Sequence, residues 1–169
     1  MKREKFTQDL AIERARVGAE NIVYIDETGF MKHAYRTHGW GKRGVRVWGE
    51  VSGNNRKCTN LILAKAGSRH FAPMLFEGTC CKKTFNTWVH RVLVRGLTSP
   101  SLIVLDNASF HVRSAVRQIL AAFGHRVLFL PPYSPDLNPI EHSFSTLKLF
   151  RNAAPPDTPI DTLIHMFIN

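Results

Sequence analysis

The sequence predicts an α/β or α+β domain whose sheet opens as an antiparallel meander and continues by strand–helix alternation, with helices packed on it. Three observations predict it. A β-branched and aromatic run, Asn21-Ile-Val-Tyr-Ile-Asp26, opens the core. Gly39, Gly41, Gly44 and Gly53 then punctuate the chain as turns between short strand candidates. From Thr84 onward the hydrophobic period is that of a helix, and apolar strands alternate with amphipathic segments.

In chain order, residues 1–20 are charge-rich with weak apolar periodicity and read as a short exposed helix or a connector. The strand at 21–26 is followed by candidates at Lys32–Thr37, Val45–Ser52 and Cys58–Lys65. Over Thr84–Leu97, Phe85, Trp88, Val89, Val92 and Leu93 recur at helical spacing, which makes Trp88 a core residue. Ser101-Leu-Ile-Val-Leu-Asp106 is the nearly continuous apolar run of a strand buried on both faces. Val112–Phe123 reads as a helix stopped by Gly124, and Arg126–Leu130 as another strand. A loop with Pro131, Pro132 and Pro135 leads to Asn138-Pro139, where a helix starts and runs to about Asn152. Its buried stripe is Ile140, Phe144 and Leu147, and Ser145 and Lys148 share the face of Glu141. Pro155, Pro156 and Pro159 break the chain before a short apolar tail.

At 169 residues the chain suits one domain. Hydrophobic residues at 44% and charged residues at 21% are near globular averages and argue against disorder. No apolar run approaches the roughly 20 residues of a membrane helix, and the charged N-terminus lacks the apolar stretch of a signal peptide. Cys58, Cys80 and Cys81 are too few and too oddly spaced for a disulfide framework or a zinc module. The expectation is a cytosolic protein with no membrane partner.

Lys and Arg number 23 against 13 Asp and Glu, a formal net charge of +10 that favours polyanions, nucleic acid foremost. The excess is concentrated. Between Arg36 and Lys57 stand Arg36, Lys42, Arg43, Arg46, Arg56 and Lys57 with Glu50 alone opposing them, and Trp40 could stack on bases or pack as a strand aromatic.

Asp26 and Asp106 each close an apolar strand, where side chains of an open sheet emerge into a cleft. Glu141 opens the last helix, three residues after Asn138; Asn138, Pro139 and Glu141 also match a capping arrangement that any helix could use. Three convergent carboxylates repel one another unless a cation holds them, and oxygen-only ligation suits Mg²⁺ or Mn²⁺. A pair of such ions about 3.5–4 Å apart stabilises the attacking and leaving oxygens of a phosphoryl displacement. Acids of this kind in a basic protein point to phosphodiester cleavage or transfer.

These residues sit in recognisable surroundings. Tyr24-Ile-Asp-Glu-Thr-Gly-Phe30, Leu105-Asp-Asn-Ala-Ser-Phe-His111 and Leu130-Pro-Pro-Tyr-Ser-Pro-Asp-Leu-Asn-Pro-Ile-Glu141 resemble the DDE transposases of bacterial insertion sequences related to the mariner group. Residues 107–140, 34 in all, separate Asp106 from Glu141, the spacing that marks the group. Gly39-Trp-Gly-Lys-Arg-Gly44 and Phe76-Glu-Gly-Thr79 are similar to further family signatures. Phe144 stands where the family usually has Trp, and Cys81 where relatives often have Asn.

The resemblance implies an RNase H-like (retroviral-integrase-like) catalytic domain over 21–152, with a mixed sheet and helices on both faces, preceded by a linker or helix over 1–20. Over 153–169 it implies a tail in which the last family helix is short or missing. Asp26 and Asp106 would hold two Mg²⁺ or Mn²⁺ ions and Glu141 would complete their shell. Water would be the nucleophile at the element's ends, and the freed 3′-hydroxyl the nucleophile toward target DNA. The implied partners are double-stranded DNA and, in the DNA complex, a second copy of the chain, in a bacterial cytoplasm beside the nucleoid. Arg36, Trp40, Lys42, Arg43, Arg46 and Lys148 are the expected DNA contacts, and Asn107 is expected to orient Asp106 or a bound water. The family's N-terminal recognition module has no room before Asn21. Two other readings stand beside this one: a non-catalytic DNA-binding remnant of a transposase, and a cellular nuclease of RNase H type.

Among the remaining polar residues, Glu27 points to the sheet face opposite Asp26 and is expected to be solvated or supporting. Asp136 suits a turn. His111 and His142 suit surface or hydrogen-bonding positions, because hard metals prefer oxygen.

Overall fold

Strand alternation and two helix-bearing faces determine where each acid falls. The structure, a computed structural model, describes residues 2–31, 40–48, 58–106, 113–155 and 158–169. A five-stranded mixed sheet forms its centre, with strands β1 (Ile22–Met31), β2 (Cys58–Ala66), β3 (Arg69–Glu77), β4 (Leu102–Leu105) and β5 (Arg126–Phe129). They lie in the order β3-β2-β1-β4-β5. β1, β2 and β3 form an antiparallel meander, whereas β4 and β5 run parallel to β1.

The helices are α1 (Lys2–Val17), α2 (Lys82–Trp88), α3 (Arg113–Ala122), α4 (Ile140–Ala153) and α5 (Ile160–Ile168). α2 continues through a π turn at Val89–Leu93 and a 3₁₀ turn at Val94–Gly96, so the expected helix over Thr84–Leu97 exists with a wider middle. On one face of the sheet, Val23, Ile25, Ile103 and Leu105 pack with Phe85, Trp88, Leu93, Val116 and Leu120 from α2, its continuation and α3. On the other, Phe30, Leu61 and Leu63 meet Ile140, Phe144 and Leu147 of α4 and Ile164 of α5. Phe6 of α1 joins Ile22, Leu102, Val104 and Leu130 on that second face. The stripe expected on α4 is the one buried. α3 ends as expected at Gly124, whose φ of 80° lets the His125 amide return to the Leu120 carbonyl at 2.9 Å.

The meander differs from the expected one in its members. Lys32–Thr37 lies outside the described residues; of Val45–Ser52 only Val45–Trp48 is described, and it carries no strand. The third strand is β3, an edge strand containing Pro73, a position where a missing N–H is tolerated. Its register against β2 shifts between Ile62 and Ala64, and Ala72 sits at the bulge with φ 54°. The apolar tail forms α5 and buries Leu163 and Ile164. The N-terminal segment forms α1, largely exposed but anchored by Phe6.

Candidate active site

β1 and β4 are parallel, and their last paired residues are Ile25 and Leu105. Asp106 directly follows β4 and Asp26 is the β1 residue beside it, so the register sets them side by side where the parallel pairing ends; β1, expected to close at Asp26, instead continues to Met31 because β2 goes on pairing with it. Alternation fixes their face as well: Val23, Ile25, Ile103 and Leu105 point to α2 and α3, so the two aspartates point the other way, toward α4. There the first turn of α4 supplies Glu141. The three acids line one cavity of about 360 Å³ with Leu130, Pro131, Pro132, Tyr133, Ser134, Pro135 and Asn138.

Asp26 is the most perturbed of these groups. Its Oδ1 accepts the Glu27 backbone N–H at 2.7 Å, and its Oδ2 accepts from the Asn138 amide at 3.1 Å. Burial, and then the nearby Glu141 and Asp106 carboxyls, push it up to about 8 against those favourable bonds, and Asp26 also shares a hydrogen bond with Glu141. No Lys, Arg or His lines the cavity among the described residues. The three carboxyls therefore crowd one another in a lining that holds no basic side chain among the described residues. An oxygen-only donor set under that repulsion fits a hard divalent ion. Among the described residues no three His, Cys, Asp or Glu are already gathered as a metal cage, so the carboxyls would have to close on an ion.

Asn138 has a different partner from the one expected of it. α4 begins after Pro139 with no side-chain cap bond, and the buried Asn138 donates to Asp26, 112 residues away in the chain, instead of capping the helix. Its Oδ1 is buried without a partner, an acceptor left over at the site. Local rules explained this residue well enough to conceal it; an Asn three residues ahead of the third acid was the available signal. Tyr133 is the second residue that sequence reasoning passed over.

Of the expected DNA contacts, Arg36 lies outside the described residues, as does Asn107 beside Asp106. Trp40, Lys42, Arg43 and Arg46 lie on an exposed stretch, where the Arg46 guanidinium stacks 4.4 Å from the Trp48 ring centroid. Lys148 is exposed on α4. Glu27 faces the opposite side of the sheet as expected, but it is half-buried and bonded to Cys80, whose thiol is pushed up to about 12 by its own burial and then by Glu27. Asp136 forms an ion pair with Arg3 of α1. His142 is exposed and His111 lies outside the described residues.

A family model described as DDE superfamily endonuclease matches residues 21–158. No curated protein matches the chain. Among solved structures, a Mos1 transposase paired-end complex with the left transposon end superposes with a TM-score of 0.79 at 21% identity, covering 99% of this chain and 53% of that one. The Mos1 mariner paired-end complex with Mn gives 0.79 at 22%, covering 99% and 54%. The catalytic domain of Mos1 mariner transposase gives 0.69 at 20%, covering 98% and 78%. The chain thus spans about half the length of the transposase chains in the paired-end complexes. At these identities the likeness establishes the fold, which is the RNase H-like one that the motifs implied.

Proposed function

The chain belongs to the DDE superfamily endonucleases, and from that premise we propose that it is a transposase catalytic domain that cuts DNA at transposon ends and joins the freed 3′-hydroxyl to target DNA. One observation carries the reading. Two aspartates held side by side where the parallel pairing of β1 and β4 ends share a cavity with Glu141, and no protein cation lines it among the described residues. The catalytic unit is residues 21–152, with the segments over 1–20 and 153–169 packed against it as α1 and α5.

Asp26, Asp106 and Glu141 would hold Mg²⁺ or Mn²⁺, two ions if the site follows the common arrangement. Bound there, the metal would activate the attacking oxygen and stabilise the leaving one. The chain's own part is positional. The Glu27 N–H and the Asn138 amide fix both oxygens of Asp26. α4 brings Glu141 to them, and the proton that Asp26 keeps in the metal-free protein must leave before it can ligate.

Trp40, Lys42, Arg43 and Arg46 would lie along the DNA, with Lys148 on the helix that bears Glu141. Two DNA ends require two active sites, so the working form would be a homodimer on double-stranded DNA, in a bacterial cytoplasm beside the nucleoid. The wild-type chain is expected to nick supercoiled plasmid in Mn²⁺ or Mg²⁺, and Asp106→Asn to abolish nicking without unfolding. Equal nicking by both would refute the assignment of the site. DNA binding by a wild type that cuts no substrate would instead favour the non-catalytic remnant, and cleavage confined to RNA–DNA hybrids a nuclease of RNase H type.

A further inference from the structure

Two non-glycine residues among those described hold a positive φ, Ala72 and Tyr133, each at 54°. Ala72 has a reason inside the fold: it forms the bulge of β3, and its carbonyl accepts the Trp88 indole N–H at 2.9 Å. Tyr133 has no such reason. Its side chain is 100% exposed, so it fills no core. The loop that carries it is nevertheless braced. Pro131, Pro132 and Pro135 restrict the backbone around it. Ser134 is buried, and its hydroxyl donates to the Pro132 carbonyl at 3.2 Å and accepts from Arg3 at 3.0 Å. Arg3 reaches Asp136 as well, at 3.0 Å through its Nη1, which ties the segment that follows Tyr133 to α1. A rigid loop thus presents an uncovered aromatic ring, and Tyr133 lines the same cavity as Asp26, Asp106 and Glu141.

We infer that Tyr133 is a stacking seat for an unpaired nucleobase next to the phosphate that is cut. This rests on the reading of the site as one that cleaves DNA. The open cavity of about 360 Å³ is large enough to seat one nucleotide. A base beside a phosphate held at the three carboxyls lies within reach of Tyr133 once it leaves the stack, and the aromatic ring replaces the stacking it has lost. Every base has a π face, so one tyrosine serves any sequence at the cut. The braced loop means that the backbone carrying the ring needs no ordering when DNA arrives.

The test uses the full chain and a short duplex whose frayed 3′ end carries 2-aminopurine as its last base, titrated without metal so that nothing is cut. Wild type, Tyr133→Phe and Tyr133→Trp are expected to quench the 2-aminopurine. Tyr133→Ala is expected to lose the quenching and bind this DNA on the order of tenfold more weakly, with an unchanged melting profile. Quenching and affinity by Tyr133→Ala equal to wild type would overturn the inference, and so would loss of quenching in Tyr133→Phe, since the ring and not the hydroxyl is the stated contact. Plasmid nicking by the same preparations separates the two claims. Nicking that survives Asp106→Asn defeats the reading of the site, while the quenching result alone decides the role of Tyr133.

Discussion

Asp26 lies midway along β1 on the face it shares with Asp106 and Glu141, and its ionisation links the site to the stability of the fold. In an unfolded chain its carboxyl titrates near the ordinary value of 3.8; folded and metal-free, it holds its proton up to about 8. A raised folded pKa gives stability that is fully present below the unfolded value and is lost as pH rises through the folded one. The metal-free protein should therefore lose stability between roughly pH 4 and pH 8 because of Asp26. His70 and His125 act the other way, because burial holds both imidazoles below their ordinary value and favours the fold as they lose their protons. Comparison with Asp26→Asn cancels them. The difference in melting temperature, wild type minus Asp26→Asn, is expected to fall steadily across that interval without metal and to flatten with Mg²⁺ or Mn²⁺ added. Parallel profiles for the two proteins would show that Asp26 is not under this pressure.

α4 has to satisfy two demands, an apolar stripe for the sheet and a carboxyl at a fixed place in the cavity. Ile140, Phe144 and Leu147 meet the first, and a polar knot on the same helix locks its first turns. Ser143, 5% exposed, accepts from the Lys65 ammonium at 2.9 Å and lies 2.8 Å from His70 Nε2. Burial, and then the Lys65 charge, hold the His70 imidazole below its ordinary value. Lys65 and His70 are cross-strand partners on β2 and β3, so one serine fastens α4 to two strands. Ser143→Ala removes both contacts, leaving Lys65 only the Pro139 carbonyl at 3.5 Å, and is expected to cost about 1–3 kcal/mol in urea unfolding, with weaker divalent-metal binding because Glu141 is two residues away. A variant as stable as wild type would remove the knot from the account. This helix also shows what the sequence could reveal. Its apolar stripe is a local pattern, as are the runs that became β1, β2, β4 and β5, and those patterns with the 34-residue spacing were enough to draw Asp26, Asp106 and Glu141 toward one place. β3 was not readable because Ala72 and Pro73 break its alternation at the bulge. α5 is only nine residues long behind a proline and resembled a tail. The pairing of Asn138 with Asp26 spans 112 residues, and no local rule reaches that far.

At the scale of the whole molecule, a chain of net charge +10 keeps the cavity of Asp26, Asp106 and Glu141 free of Lys, Arg and His among the described residues and places Lys42, Arg43 and Arg46 on an exposed stretch outside that lining. The division has a physical purpose. Basic side chains in the cavity would neutralise the carboxyls and remove the reason for a metal to enter, whereas the same side chains outside gather phosphate by releasing the counterions around it. Affinity and chemistry are then separable, and salt distinguishes them. Binding of a labelled duplex, followed by anisotropy over a series of KCl concentrations, should weaken along a straight line of log Kd against log salt. Each phosphate contact contributes a slope of about 0.9 on duplex DNA. Replacing Lys42, Arg43 and Arg46 together by Ala should therefore flatten the line by about 2 to 3, whereas Asp106→Asn should leave the slope as it is while ending cleavage. A triple variant with the wild-type slope would move the DNA path off this stretch. A changed slope in Asp106→Asn would mean that the carboxyls and the basic surface act on the DNA as one unit, and the separation argued here would not hold.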